Sequence, residues 1–222
     1  MSEVQDRKNR MRRGQRELAI FLIDLPPSDM ERRLSDALTV YVDAMRYPRG
    51  TESQRAAMWL EHIRRRGWQA VAAVEPIAAE PEEANSGQVP SAAALGNAPL
   101  LGVAYGYPGA PGQWWQQQVV LGLQRGGVPP LEITRLMSSY FELTELHIHP
   151  RAQGRGLGEA LARRLLAGRD EDNVLLSTPE ISGEHNRAWR LYRRLGFNDV
   201  IRGYHFAGDP RPFAILGRKL PL

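Results

Sequence analysis

The chain has 222 residues, 42% of them hydrophobic, and contains no cysteine, which excludes disulfides, a thiolate nucleophile and cysteine-bound metal. Its formal net charge is +4, but residues 1–17 carry six Lys/Arg against three Asp/Glu, which accounts for +3 and leaves +1 for the remainder. A nearly neutral body argues against a nucleic-acid partner, because nucleic-acid-binding domains carry a basic face on the fold itself.

The first 17 residues are predicted to form a disordered basic tail ahead of a single domain at residues 18–222. The tail is charged throughout and lacks the apolar core of a secretory signal. The apolar segment that follows, LAIFLIDL, is much shorter than the roughly 20 residues that cross a membrane. These features predict a cytoplasmic protein with no membrane partner.

The first part of the domain predicts two strands around a pair of helices, with the strands at residues 17–25 and 68–78. Ser28 with Glu31, and Thr51 with Gln54, have the spacing of capping boxes, which predicts that helices begin at these two points. Residues 79–99 are rich in Glu, Pro, Ala and Ser and predict a mobile loop.

The middle of the chain predicts a third strand at residues 100–110 and then a helical insert at residues 112–140. Residues 112–127 of the insert predict a helix, whereas the segment PPLEITRLMSSY is ambiguous. The adjacent Trp114 and Trp115 favour anchoring in the core, with a ligand-binding cage as the open alternative.

The segment TELHIHPRAQGRGLGEALARRLL joins a predicted strand at residues 141–150 to a helix through three alternating glycines. Glycine permits positive φ and close approach of a ligand, and the free amides at a helix N-terminus attract anions. The pattern predicts a phosphate or pyrophosphate site at residues 153–158, with a ligand-free turn as the alternative. No Lys-Ser/Thr follows the glycines, as a Walker loop requires, and the G-x-G-x-G spacing differs from the dinucleotide fingerprint.

The last part of the chain predicts a strand at residues 173–179, a helix at 186–196 and two closing strands at 197–206 and 212–220. Strands alternate with helices in this half, which predicts a sheet that is partly parallel.

Two of these segments resemble the GNAT superfamily of N-acetyltransferases. Motif A of that family is a strand ending near proline and then Q/R-x-x-G-x-G/A, which Gln153, Gly156 and Gly158 fill. Motif B is a pattern of Asn, a small residue, Leu-Tyr and Gly-Phe, filled here by Asn186, Ala188, Leu191, Tyr192, Gly196 and Phe197. The resemblance implies a mixed α/β fold with a mostly antiparallel sheet of about six to seven strands, flanked by helices and splayed at the motif A strand.

The resemblance implies acetyl-CoA as co-substrate and no metal. The pyrophosphate would rest on the glycine loop, and the pantetheine arm would pair with the motif A strand, where one amide would polarise the thioester carbonyl. Asn186 would contact the arm or serve only as a helix N-cap. The implied cofactor-binding residues are Leu146, His147, Ile148, Gln153, Gly154, Arg155, Gly156, Leu157, Gly158, Glu159 and Asn186.

Tyr192 occupies the position of the family's general acid, which would protonate the leaving thiolate; a core tyrosine is the alternative. An alkylamine arrives protonated, because its pKa is about 10.4, and Glu142 matches the family's strand glutamate as the base. Glu145, Glu180 and a water molecule stay open as alternatives. Because Glu142 and Glu145 are three residues apart, strand alternation predicts that they point to opposite faces of the sheet.

His147 and His149 have the spacing of a metal-binding pair, but no third ligand has matching spacing, so no metal site is predicted. Arg46, Arg49 and Arg211 lie in the two loops that shape the acceptor side in the family, and they hint at an acidic acceptor.

The resemblance therefore implies an N-acetyltransferase that moves an acetyl group from acetyl-CoA to a primary amine by direct attack in a ternary complex. A small amine, an amino acid, a protein lysine and a protein N-terminus stay open as acceptors, and the insert is expected to narrow the acceptor side. A catalytically silent acyl-CoA-binding module on the same fold is the alternative, and homodimer formation is left open.

Overall fold

The computed structural model describes residues 19–76, 90–180 and 187–222, so the predicted tail, most of the predicted loop and Asn186 lie outside the described residues. A seven-stranded sheet has the order β1-β2-β3-β4-β5-β7-β6, antiparallel except for the parallel pair β4–β5. This confirms the predicted fold class. The strands are β1 Phe21–Asp24, β2 Gln69–Val74, β3 Leu100–Pro108, β4 Tyr140–Ile148, β5 Asn173–Pro179, β6 Asn198–Tyr204 and β7 Phe213–Lys219.

Helices cover both faces of this sheet. They are α1 Pro27–Arg32, α2 Leu34–Met45, α3 Thr51–Ile63, α4 Ala92–Asn97, α5 Trp114–Arg125, α6 Pro130–Met137, α7 Leu157–Leu166 and α8 Arg187–Arg194. On one face, α7 and α8 enclose a core with alternate residues of β4 and β5. On the other face, α1 to α3 pack on β2 and β3, while α5 and α6 pack on β6 and β7.

Both predicted capping boxes are wrong, because each residue expected to precede its helix as the cap is already part of that helix. Ser28 lies inside α1, which begins at Pro27 and has no side-chain cap. Thr51 is the first residue of α3 and not its cap, and its hydroxyl donates to a carbonyl in the preceding turn. The carboxylate of Glu52 instead accepts from the amide of Gly50 at 2.7 Å. Local side-chain–backbone bonding therefore satisfies this helix end in a different way from the expected one.

Two segments are more regular than the sequence indicates. The described end of the predicted loop contains α4, and the buried guanidinium of Arg33 fastens it by donating to the carbonyls of Gly96 and Ala98 at 3.1 and 2.6 Å. The ambiguous segment in the insert forms α6, whose Ile133 and Met137 are buried. In both cases tertiary contacts stabilise a helix too short to form alone.

The two adjacent tryptophans of the insert have different environments. Trp115 is buried, and its indole N–H donates to the Ser177 hydroxyl at 3.3 Å. Trp114 is 50% exposed and lies beside Phe206, with ring centroids 5.5 Å apart. The helical insert is thus anchored on β5 and on the chain that leads out of β6. No helix in the described ranges is long and apolar enough to cross a membrane.

Candidate active site

The parallel strands β4 and β5 separate after three residue pairs. Tyr140–Glu142 pairs with Asn173–Leu175, after which β5 continues along β7 to Pro179 and β4 continues along β3 to Ile148. On the β5 side, the remaining edge of β4 therefore has no strand partner among the described residues. We call the space between the two diverging strands the wedge.

Backbone amides of β4 point into the wedge at alternate residues. The amide of His149 donates to the carbonyl of Leu101 on the β3 side at 2.8 Å. Because successive amides of a strand point to opposite sides, the amide of His147 also faces β3, whereas those of Leu146 and Ile148 face the wedge. Two of the three predicted strand residues thus offer a backbone edge to an extended ligand.

The glycine loop presents a bare backbone at the N-terminus of α7. Gly154 and Gly156 have φ of +83° and +78°, and a Cβ added at either would meet no atom within 4 Å. Gly158 lies in the first turn of α7, where a Cβ would come within 3.0 Å of the Leu191 side chain in α8. The glycines therefore leave the outer side of the loop open and let the helices pack closely, which suits a diphosphate at a helix N-terminus.

Side chains of this loop tie it to neighbouring elements. The Gln153 carboxamide donates to the Ile148 carbonyl at 3.0 Å and accepts from the Arg187 guanidinium at 2.6 Å. Glu159 pairs with Arg163 at 2.9 Å within α7. Gln153 thus connects the end of β4, the glycine loop and the start of α8.

Three further predicted residues take different places in this region. The Leu157 side chain is buried beneath the loop in the core that α7 and α8 enclose. A guanidinium nitrogen of Arg155 lies 3.8 Å from a carboxylate oxygen of Glu75. Asn186, predicted to contact the cofactor arm, falls outside the described residues.

Tyr192 is buried in the core that α7 and α8 build against β4. It is 7% exposed, and its ring centroid lies 5.6 Å from that of Phe197. Burial raises the pKa of the Tyr192 phenol far above its usual range, and the nearby Glu145 carboxylate raises it further. The hydroxyl therefore keeps its proton at neutral pH and is a donor.

A β-bulge places the two predicted carboxylates on the same face of β4. Glu142 is paired with Tyr107 and Glu145 with Tyr105, so Thr144 is an extra residue between the two pairs. The expectation of opposite faces is wrong, because the bulge adds one residue to the alternation. Both carboxylates face the side of the sheet on which α2 and α3 pack.

Glu142 is buried at the point where the wedge begins. Its carboxylate accepts from the Tyr107 hydroxyl at 3.3 Å, and its second oxygen has no hydrogen-bond partner in the described part of the chain. Burial raises the pKa of Glu142 to about 8. A carboxyl group in this state is much more basic than an exposed one.

Glu145 lies nearer the wide end of the wedge. Its carboxylate lies 2.5 Å from Nε2 of His147, whose ring packs edge-on against that of Tyr41 at 4.9 Å. His149 is turned elsewhere and lies 3.2 Å from Asp43. The two histidines thus have separate acidic partners, and no group of three metal-ligating side chains occurs in the ranges that the structure describes.

Glu180, the third carboxylate considered as a base, is an ion-pair partner of Arg202. Its backbone amide donates to the Pro212 carbonyl at 2.8 Å, which holds it beside the start of β7. Glu180 thus lies beside β7, whereas Glu142 and Glu145 lie on β4, on the face that α2 and α3 cover.

Sequence reasoning missed the phenols around these carboxylates. Tyr105 and Tyr107 are two residues apart in β3 and face Glu145 and Glu142, respectively. The Tyr105 hydroxyl lies 3.0 Å from Nδ1 of His62, and burial lowers the pKa of this histidine to about 4. The alternating tyrosines in the run AYGY were the available signal, since residues i and i+2 of a strand share a face.

A groove of about 520 Å³ opens between the α2–α3 connection and the β6–β7 hairpin. Arg211 bridges its two sides, donating to the Tyr47 hydroxyl at 2.8 Å and pairing with Asp209 at 2.6 Å. The groove is lined by Tyr47, Pro48, Thr51, Gln54, Arg55, Met58, Gly208, Asp209, Pro210 and Arg211. These are the two loops expected to shape the acceptor side.

A larger cavity of about 860 Å³ lies between α6, residues 169–173 and the end of β7. It contains none of the predicted site residues. Its lining includes cations and carboxylates, of which Arg169 and Glu171 already pair at 2.6 Å. The wedge, and not this cavity, brings together the glycine loop, the unpaired strand edge and the two carboxylates of β4.

Comparison with known proteins agrees with this geometry. The sequence profile of the acetyltransferase (GNAT) domain matches residues 118–199. The chain is 84% identical over 206 residues to a GCN5-like protein acetyltransferase of Mycobacterium tuberculosis, covering 92% of this chain and all of that protein.

Solved structures with the same fold are distant in sequence. Arabidopsis thaliana NAA60 in complex with acetyl-CoA has a TM-score of 0.54 at 16% identity, covering 91% of this chain and 99% of that one. The ribosomal-protein-S18-alanine N-acetyltransferase of Escherichia coli has a TM-score of 0.53 at 15% identity, covering 92% and 96%. At these identities the likeness concerns the fold alone.

Proposed function

The chain belongs to the GNAT superfamily of acetyltransferases, and on that premise we propose that it transfers the acetyl group of acetyl-CoA to a primary amine of a protein acceptor. The divergence of β4 from β5 beyond Glu142 is the observation that carries this proposal. It would supply a slot for a thioester between the glycine loop and two acids, the buried Glu142 and the partly buried Glu145. The Mycobacterium tuberculosis relative is named as a protein acetyltransferase, which favours a protein over a small amine.

The glycine loop and the strand edge are suited to hold the two ends of acetyl-CoA. The amides at the start of α7 would hold the diphosphate, and the amides of Leu146 and Ile148 would pair with the amide-bearing arm as a neighbouring strand does. An amide at this edge would also donate to the thioester oxygen as negative charge develops there. Gln153 would keep the loop in place through its bonds to Ile148 and Arg187.

Glu142 is proposed to accept the proton of the acceptor amine. Transfer from an alkylammonium of pKa about 10.4 to an ordinary carboxylate of pKa about 4.3 is uphill by about 8 kcal/mol. The raised pKa of Glu142, about 8, reduces that difference to about 3 kcal/mol. Glu145 lies on the same face and is the alternative acceptor of the proton.

Tyr192 is proposed to complete the reaction on the other side of the wedge. The free amine attacks the thioester carbon, a C–N bond forms, and the C–S bond breaks with its electrons on sulfur. The Tyr192 hydroxyl, which burial keeps protonated, donates its proton to that sulfur. The nitrogen gives up two protons, one to Glu142 before the attack and one after the C–N bond has formed, and the second restores the Tyr192 phenol through solvent. Sulfur gains one proton, so the reaction releases one proton overall.

Release of free thiol from acetyl-CoA tests the proposal. The full chain is incubated with acetyl-CoA and a panel of lysine peptides, peptides with free N-termini and small amines, and products are identified by mass. We expect thiol release that depends on a peptide amine. Tight acetyl-CoA binding without turnover on any amine would contradict the proposal and favour a silent acyl-CoA-binding module.

A further inference from the structure

The groove beside the wedge contains an arginine whose guanidinium makes no ion pair with a carboxylate of the described residues. Among the arginines expected to attract an acidic acceptor, Arg49 pairs with Asp43 at 2.8 Å and Arg211 pairs with Asp209. Arg46 does not line the groove. Arg55 does line it, and forms no ion pair with any carboxylate in the described residues.

The direct contacts of Arg55 hold its guanidinium in the groove through groups other than carboxylates. One nitrogen lies 3.7 Å from the sulfur of Met58, one turn further along α3. The guanidinium carbon lies 5.7 Å from the ring centroid of Tyr41, within the range of a cation–π contact. Neither group carries a negative charge, and the Asp209 carboxylate acts on Arg55 only through its field and makes no ion pair with it. The fork of N–H donors is therefore left to pair with a ligand.

Two aromatic side chains connect Arg55 to Glu145, one of the two carboxylates on β4. It lies over Tyr41, which packs against His147, which in turn contacts Glu145. An extended peptide advances about 3.3 Å per residue, so a group that reaches Arg55 lies within roughly three residues of an amine at the wedge.

We propose that Arg55 selects acceptor segments that carry an aspartate or glutamate within about three residues of the acetylated lysine. This rests on the proposed function and names the acceptor class of the same site. A guanidinium binds a carboxylate through two parallel N–H···O bonds, which gives direction as well as charge. Thr51 and Gln54 line the same groove and offer hydrogen bonds to the acceptor backbone.

Three matched lysine peptides test the assignment, with Glu, Gln or Lys at the flanking position and otherwise identical sequence. For the unaltered enzyme we expect kcat/KM about tenfold higher with the Glu peptide than with the Gln peptide. Arg55→Gln should make the two equal, Arg55→Lys should keep a smaller preference, and Arg55→Glu should favour the Lys peptide. A reversed preference cannot come from loss of packing on Tyr41, because it requires a charge interaction with the peptide.

The control is Arg64→Gln, which removes the same charge from the exposed end of α3 outside the groove. It should leave the ratio of Glu to Gln peptides unchanged. If the enzyme acetylates all three peptides equally, or if Arg55→Gln retains the tenfold ratio, the assignment of Arg55 is overturned while the proposed function stands. If no peptide is acetylated but small amines are, the protein acceptor itself is contradicted, and the assignment with it.

Discussion

The hydroxyl of Tyr192 belongs to the proposed chemistry, whereas its largely buried ring belongs to the packing of the core. Tyr192→Phe keeps the ring in contact with Phe197 and removes only the proton donor. We expect kcat to fall by about 10²-fold or more, because the thiolate then leaves unprotonated. The dissociation constant of acetyl-CoA, measured by calorimetry, should change less than twofold.

Tyr204→Phe is the matched control for this change. Its side chain is also largely buried, and its hydroxyl donates to the Gln118 side chain at 2.9 Å, on β6 and away from the wedge. It should leave kcat unaltered. An equal loss of rate in both variants would assign the effect to general loosening of the fold and remove Tyr192 from the mechanism.

Glu142 makes the stability of the protein depend on pH in a definite direction. Its pKa is about 8 in the folded protein against 4.5 as its ordinary value, so folding favours the protonated form. This contribution is fully present below about pH 4.5 and is lost as the pH rises through about 8. Glu142→Gln has no group that titrates here, so it does not lose this contribution. The unfolding free energy of the variant minus that of the unaltered protein should therefore rise by about 2–5 kcal/mol from pH 4 to pH 9.

Urea unfolding at several pH values measures that gain, with the exposed Glu132→Gln as control. A difference in unfolding free energy that does not change with pH would contradict the raised pKa of Glu142.

Glu142→Gln also tests the proposed chemistry, because kcat/KM should fall by about 10²-fold and lose its rise with pH toward 8. If Glu145→Gln has this effect and Glu142→Gln does not, the proton acceptor is Glu145.

At the scale of elements, most strands and helices were predictable because their hydrophobic periods are long and local. The boundaries of β5 and the start of the glycine loop followed directly from the residues. The bulge at Thr144 was not predictable, since an extra residue in β4 is visible only against its partner β3. That one residue decides whether Glu142 and Glu145 act on the same face.

The positive φ of Gly156 gives the glycine loop a measurable signature. Gly156→Ala forces an alanine into the left-handed region at the start of α7 and should cost about 1–2 kcal/mol of unfolding free energy. The new methyl group points into open space on the outer side of the loop. That is the space in which the diphosphate of acetyl-CoA is proposed to lie. We therefore expect acetyl-CoA to bind at least tenfold more weakly, because the methyl group would keep the diphosphate away from the backbone amides.

Gly168→Ala provides the comparison at the other end of the same helix. Gly168 has φ of +66° and equally open surroundings, so the cost in stability should be similar. Its dissociation constant for acetyl-CoA should not change. Weakened binding in both variants would show that strain in α7, and not the surface of the loop, controls affinity.

At the scale of the whole molecule, the two faces of the sheet carry different parts of the proposed reaction. Tyr192 belongs to the core under α7 and α8, whereas both carboxylates face α2 and α3. The wedge joins the two faces. The resemblance implied a splay at the motif A strand, but the residue pattern alone could not predict this division between the faces. The division depends on where β4 and β5 separate, which is a contact between residues more than 30 positions apart.

Helix α5 of the insert packs closely against β6, and one glycine allows this close approach. Gly122 in α5 is buried, and a Cβ there would lie 2.8 Å from Ile201 and 2.9 Å from Tyr204, both on β6. Gly122→Val should push α5 away from β6 and cost about 1–3 kcal/mol of unfolding free energy. Because β6 leads into the hairpin with Asp209 and Arg211, we expect KM for the acceptor to rise severalfold while acetyl-CoA binding is unchanged.

The control is Gln124→Val, on the exposed side of α5, which should alter neither the unfolding free energy nor KM for the acceptor. If Gly122→Val lowers stability as expected but leaves acceptor KM unaltered, the insert stabilises the fold without shaping the groove.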